Sequence, residues 1–168
     1  MVLGGLMLAG CSLEQDVTSN PESGPKVGTS APALDATTLD GSHFDLSAQR
    51  GHVVIVDFFA SWCGPCRAQQ PELNLLASRY TPHGVVAVGV DFREGEAETR
   101  SYLRANGVSY PGVRDPDGSV AAAFAVAAPP TTVIIDRGGK VAASYFGGVR
   151  AADLGPVIDH LLGSVTTP

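Results

Sequence analysis

The residue types most able to do chemistry in this chain are Cys63 and Cys66, separated by Gly64 and Pro65 and preceded by Trp62. They follow the apolar run VVIVDFFA and open a segment in which Leu73, Leu76, Ala77 and Tyr80 recur at spacings of three and four. The pair therefore stands where a buried strand hands over to an amphipathic helix. A thiol at a helix N-terminus faces unpaired backbone N–H groups and the positive end of the macrodipole, which stabilise its thiolate and lower its pKa below the free value of about 8.5. Cys63 is thus the attacking thiol. Cys66 falls on the same face one turn deeper, shielded from solvent, and is the resolving thiol. Exchange runs through a mixed disulfide between Cys63 and a client, released when Cys66 attacks the Cys63 sulfur. A structural disulfide or half of a zinc site would be the other uses of such a pair. Zinc needs four ligands, and His43, His52, His83 and His160 stand singly, without ligand spacing, as surface residues. No metal and no cofactor is expected. The acidic run Glu94, Glu96, Glu98 reads as a solvated helix start, where negative charge suits the dipole.

The elements that must position these residues follow from periodicity and turn chemistry. Segments 34–39 and 42–46 flank Asp40-Gly41, a strong hairpin signal. Residues 52–60 and 85–90 read as buried strands, with a helix over 65–80 that carries Pro71 in its interior. A helix over 96–105 closes at Asn106-Gly107, and 111–115 is a short extended piece before the Asp117-Gly118 turn. After a short helix over 119–126, strands 131–136 and 141–146 form a hairpin through 137–140, and 150–162 is the final helix. Residues 164–168 form a polar tail, and no internal repeat is present. Strands alternating with helices give an α/β fold, a mainly parallel sheet covered on both faces, to which the late hairpin adds an antiparallel edge.

Composition bounds the rest. With 168 residues, 44% hydrophobic and 17% charged, the chain holds one ordinary domain that needs no metal or disulfide framework. Eleven Lys+Arg against seventeen Asp+Glu give a net charge of −6, and the only lysines are Lys26 and Lys140. Such a chain cannot neutralise a run of phosphates, so nucleic acid is excluded as a partner. No apolar run reaches the ~20 residues needed to span a bilayer.

The N-terminus carries an address. Residues 1–11 are apolar and small up to the closing thiol, and Leu8-Ala9-Gly10-Cys11 resembles a bacterial lipobox. That resemblance implies cleavage before Cys11, a diacylglycerol on its sulfur, and an extracytoplasmic domain anchored to the bacterial cell membrane. Two or three acyl chains hold a domain on a membrane where one does so only marginally. No Lys or Arg precedes Cys11, so the true start is expected to lie upstream of Met1. Three cysteines are odd, and a thioether on Cys11 leaves an even pair for redox chemistry in an oxidising compartment. Residues 12–29, polar and rich in Ser, Pro and Gly, read as a flexible tether spanning roughly 23 Å. The expected organisation is a signal segment at 1–10, a lipidated cysteine and tether at 11–29, and one domain at 30–168.

The segments VGTSAPALDATTLDGSHFDLS, VVIVDFFASWCGPC, GVVAVGVD and PPTTVIID followed by GGK resemble the thioredoxin superfamily, and within it the membrane-tethered TlpA/ResA-like (redoxin) branch, over about 28–162. The resemblance implies a thioredoxin fold with an N-terminal β-hairpin, a mixed central sheet flanked by helices, and a thiol-disulfide oxidoreductase outside the cytoplasm. Clients would be proteins with cysteine pairs, apocytochrome c among them, with electrons drawn from a membrane redox partner. It assigns Trp62, Gly64, Pro65, Pro129 and Pro130 to the client-binding surface beside the thiols, with Pro130 as the family's cis-proline and Pro71 as its structural helix-kinking proline. Pro129 is a departure: it lacks the N–H with which relatives bond a client strand, so strand addition is expected to be weaker or differently aligned. Asp57 matches the buried carboxylate of thioredoxins that helps move the proton of the resolving thiol. Many TlpA/ResA-like proteins have Asn there and a Glu three residues after the second cysteine, where this chain has Gln69. The lysine that thioredoxins carry on the neighbouring strand has no counterpart in 85–91. A carboxylate in an apolar strand has a raised pKa, which suits Asp57 as the base for Cys66 near neutrality.

Direction follows from the dipeptide between the thiols. Gly-Pro is that of thioredoxin, which sits near roughly −270 mV against about −120 mV for the oxidant DsbA, and so favours a reductant. The alternative is a disulfide-forming oxidase of DsbA/DsbE type. A peroxiredoxin-like peroxidase would need Pro at 56 and Thr or Ser at 60, where the chain has Val56 and Ala60. A copper chaperone of the SCO type would space its thiols by three residues and add a distal His.

Overall fold

The computed structural model describes residues 23–163. The expected signal segment, Cys11 and the tail at 164–168 lie outside them. A two-stranded antiparallel sheet opens the domain, β1 (Asp35–Thr37) against β2 (His43–Asp45), with Ala36 opposite Phe44. At its turn the Asp40 carboxylate accepts the Ser42 N–H at 3.0 Å, and Leu34, Phe44 and Leu46 carry the hairpin into the core.

The main sheet has five strands, β3 (Val53–Phe59), β4 (Val85–Phe92), β5 (Gly112–Asp115), β6 (Thr131–Ile135) and β7 (Val141–Phe146), in the spatial order β5-β4-β3-β6-β7. β3, β4 and β5 run parallel, while β6 is antiparallel to β3 and β7 to β6. The helices are α1 (Gly64–Tyr80), α2 (Glu96–Ala105), α3 (Ser119–Ala123) and α4 (Ala151–Gly163). This is the mixed sheet of a thioredoxin fold. The late hairpin contributes more than an edge, because β6 lies directly against the central strand.

Every residue of β3 is buried, which is why its sequence is a continuous apolar run rather than an alternation. Val54, Val56 and Phe58 face one core, where the Phe58 and Phe124 rings meet at 5.3 Å and Cys63 and Cys66 sit. Val53 and Ile55 face a second core with Leu73, Leu76 and Tyr80 of α1 and Leu154 and Ile158 of α4. Each fully buried Val, Ile or Phe contributes roughly 1.5–3 kcal/mol, so the central strand is anchored from both sides.

The tether expected to run to Thr29 ends sooner, because residues 23–29 lie on the domain. Gly24 N–H donates to the Ala125 carbonyl at 2.9 Å, Ala127 N–H to Ser23 Oγ at 3.4 Å, and Gly28 N–H to the Val141 carbonyl at 2.8 Å. Val141 N–H returns a bond to the Thr29 carbonyl, and Ser30 bridges Lys140. The strap is held by backbone bonds through glycines with φ of +104° and +85° at 24 and 28, a geometry that hydrophobic patterning does not encode.

Candidate active site

Residues Ala60–Trp62 form the short loop by which β3 delivers Cys63 to the start of α1. Cys63 has extended backbone, φ −79° and ψ 107°, and caps the helix: its Sγ accepts the Cys66 N–H at 3.1 Å. Pro65 occupies the first turn, where a missing N–H costs nothing. Cys63 and Cys66 are joined by a disulfide, with Cα atoms 5.3 Å apart. Cys63 is 4% exposed and Cys66 0%, so the first sulfur is the one a client reaches. Trp62 is 62% exposed beside it, and Gly64 and Pro65 are exposed as well.

The Pro129–Pro130 peptide bond is cis. Thr131 stands opposite Phe58, so this bond lies at the same end of the sheet from which the Cys63 loop springs. Gly147 N–H donates to the Pro130 carbonyl at 2.9 Å and fixes the turn.

Asp57 is buried in β3 and has Thr132 as its register partner across to β6. Gln69 Nε2 donates to Asp57 Oδ1 at 2.9 Å and Thr132 Oγ1 to the same oxygen at 3.3 Å, while Oδ2 has no hydrogen-bond partner among the described residues. Burial pushes the Asp57 carboxyl up to about 7, and the two hydrogen bonds oppose that rise. Gln69 Oε1 in turn accepts the Val149 N–H at 3.1 Å, which ties α1, β3 and the approach to α4 together at this carboxyl. Sequence reasoning singled out Gln69 as a departure but not as a partner of Asp57, and it passed over Thr132, whose pairing depends on strand register.

One expectation is corrected. Glu96 and Glu98 are exposed at the start of α2, but Glu94 is half-buried and accepts both Ser61 N–H and Ser61 O–H, each at 2.6 Å. The loop that presents Cys63 is bonded to a carboxylate 33 residues away, and no local pattern signals it. The four histidines are exposed, and the described residues hold no group of three His, Cys, Asp or Glu able to bind a metal.

A thioredoxin fold with a cysteine pair capping the helix after its central strand defines a thiol-disulfide oxidoreductase. Residues 27–144 match the AhpC/TSA family, and the chain belongs to that family. It is 34% identical over 151 residues to the thiol:disulfide interchange protein DsbE homolog of Paracoccus denitrificans, covering 87% of this chain and 80% of the relative. It is 32% identical over 128 residues to the thiol-disulfide oxidoreductase ResA of Geobacillus kaustophilus, covering 76% and 74%. A crystal structure of a thiol:disulfide interchange protein of the thioredoxin family from Chlorobium tepidum superposes with a TM-score of 0.73 at 28% identity, over 80% of this chain and 97% of that one. The chain is a thiol-disulfide oxidoreductase of ResA/DsbE type, acting on proteins that contain cysteines.

Proposed function

We propose that the protein is an extracytoplasmic reductant of client disulfides, held on the membrane by lipidated Cys11 and recharged by a membrane electron donor. The observation that carries the direction of attack is the Cys63 sulfur at the head of α1, where the Cys66 N–H and the helix dipole favour a thiolate. In the reduced enzyme the Cys63 thiolate attacks one sulfur of a client disulfide, forming the mixed disulfide and expelling the client's other sulfur as thiolate. Cys66 then gives its proton to Asp57 and attacks Cys63, forming the Cys63–Cys66 disulfide and releasing the second client thiolate. Two electrons pass from the protein to the client. Asp57 fits the base because it is buried in the strand that leads into the thiol loop, is bonded through Gln69 to the helix that carries Cys66, is half-ionised near neutrality and keeps Oδ2 unengaged. The exposed Trp62 and the Pro129–Pro130 turn form the client-facing surface. Apocytochrome c is the client class implied by the resemblance of the sequence to the TlpA/ResA-like branch.

The lipobox-like Leu8-Ala9-Gly10-Cys11 supports the anchor, and no helix among the described residues is long and apolar enough to cross a membrane. Cys11→Ser is expected to move the protein from the membrane to the soluble fraction of a detergent-free lysate.

Equilibrating the domain with glutathione or dithiothreitol and trapping its thiols measures the direction. A potential near thioredoxin's, roughly −270 mV, supports the reductant, and one near DsbA's, about −120 mV, replaces it with a disulfide-forming oxidase. A peroxidase reading meets Val56 and Ala60, both wholly buried and apolar, where a peroxiredoxin needs Pro and Thr or Ser.

A further inference from the structure

A second carboxylate cluster lies beside the thiols and takes no part in the exchange above. Asp91, near the end of β4, has no exposed surface. Thr99 Oγ1 of α2 donates to its Oδ2, while Oδ1 finds no donor among the described residues. The Asp91 side chain is also in hydrogen-bond contact with that of Glu94. Two carboxyls can hydrogen-bond each other only when one keeps its proton, and a proton on Asp91 Oδ1 accounts for both facts. It leaves Glu94 as the carboxylate. Glu94 spends both oxygens on Ser61, one on the N–H and one on the O–H. The Ser61 carbonyl meanwhile accepts from Arg67 Nη1 of α1.

We propose that Glu94 is a positioning residue for the loop that delivers Cys63, and that it holds Ser61 as one half of a carboxyl–carboxylate pair whose proton is carried by Asp91. The charged groups facing the pair are Arg114 on β5, whose guanidinium attracts the Asp91 carboxylate, Glu98 on α2, whose carboxylate lies against Gly95, and Arg67 on the Ser61 side. Arg114 is itself drawn off by Glu96 at 3.5 Å. Burial pushes the Asp91 carboxyl up to about 7, the Glu94 contact and charge add to the rise, and Thr99 and Arg114 oppose it. When Asp91 loses its proton, two carboxylates face each other without a bridge, and Glu94 is repelled from the position in which it grips Ser61. The loop is then held at neutral and lower pH and loosened above it.

Trp62, the chain's single tryptophan, is next to Ser61 and reports the loop directly. The test is its fluorescence in the oxidised protein, whose cysteines do not titrate, followed from about pH 5 to about pH 9. An inflection near pH 7 is expected. It should persist in Asp57→Asn, which removes the other carboxyl titrating there, and vanish both in Asp91→Asn and in Glu94→Gln, where no repulsion between two carboxylates can loosen the loop. In turnover of a small disulfide, Glu94→Ala should lose about tenfold through misplacement of the loop, with Glu94→Gln, which keeps an acceptor, recovering most of it. A flat wild-type titration overturns the proposal, as does an inflection unchanged in Asp91→Asn or Glu94→Gln. If Glu94→Ala does not fold, the Asp91→Asn and Glu94→Gln titrations decide.

Discussion

Two hydrogen bonds meet at one oxygen of Asp57 and none at the other, in a strand with no exposed residue. The native state therefore holds a proton that the unfolded chain has already given up. Below the unfolded value of about 3.9 both states are protonated and the difference vanishes; as pH rises toward the folded value of about 7, stability is lost on the order of 4 kcal/mol. Urea midpoints of the oxidised protein are expected to fall between about pH 4 and about pH 7 more steeply than those of Asp57→Asn, whose amide carries no such linkage. Equal slopes would mean that Asp57 ionises as it does in water. The same burial supplies the base. Resolution of a Cys63 mixed disulfide should speed up as pH passes about 7 in the wild type, and Asp57→Asn should slow it by roughly a hundredfold, with its pH dependence displaced to the thiol's own range. Stopped-flow release of a chromophoric thiol from Cys63 reads this directly. Removing Gln69 takes away the nearer of the two bonds that hold the Asp57 pKa down, so in Gln69→Ala the resolution profile should move to higher pH.

Elements were legible where hydrophobic period and breakers agree. The apolar run at 52–60 became β3, and the stripe Leu73, Leu76, Ala77, Tyr80 became the buried face of α1. Asn106-Gly107 closes α2, and Asp40-Gly41 turns the first hairpin. The dithiol was legible because it occupies a punctuated local motif, whereas the cis Pro130 followed only from the family resemblance. What remained hidden depends on register or on distant side chains: Thr132 reaches Asp57 only because β6 pairs with β3 at that residue, and Glu94 reaches Ser61 across the sheet's end. Glycines show the same contrast. Gly89, opposite Asp57 on β4, has Phe59 Cε1 2.9 Å and Tyr110 Cε2 3.4 Å from where a Cβ would sit, and Phe59 is itself stacked on Tyr102 at 4.5 Å. Gly89→Ala should cost about 1–3 kcal/mol by urea unfolding, because the ring cannot retreat. Gly64, between the thiols, has only Arg67 Nη2 nearby, at 3.9 Å. Gly64→Ala is expected to leave stability within roughly 0.5 kcal/mol, so any change in its potential reports the thiols and not the fold.

At the scale of the molecule, the strap at 23–29 decides how an anchored domain presents its thiols. Ser23 and Gly24 are bonded to Ala127 and Ala125, just ahead of the cis Pro130 turn, so the chain joins the domain at the end of the sheet that carries Cys63. Gly24 is required there: its φ is +104°, and a Cβ would sit 1.9 Å from Ser144 Oγ. Gly24→Ala should free the strap, seen as faster proteolysis before Ser30 with the five-stranded sheet intact. Eleven residues, Ser12 to Glu22, separate Cys11 from the strap, a reach of at most about 40 Å. In the lipid-anchored form proposed above, the thiol end of the domain is thereby kept within that distance of the membrane, where the proposed electron donor would act. Inserting about twenty Gly/Ser residues before Ser23 enlarges the volume the domain explores and dilutes it around the donor. Reduction of the Cys63–Cys66 disulfide by membranes should then slow several-fold, while reduction by dithiothreitol stays unchanged. Equal rates with membranes would show that the attachment point does not govern access to the donor.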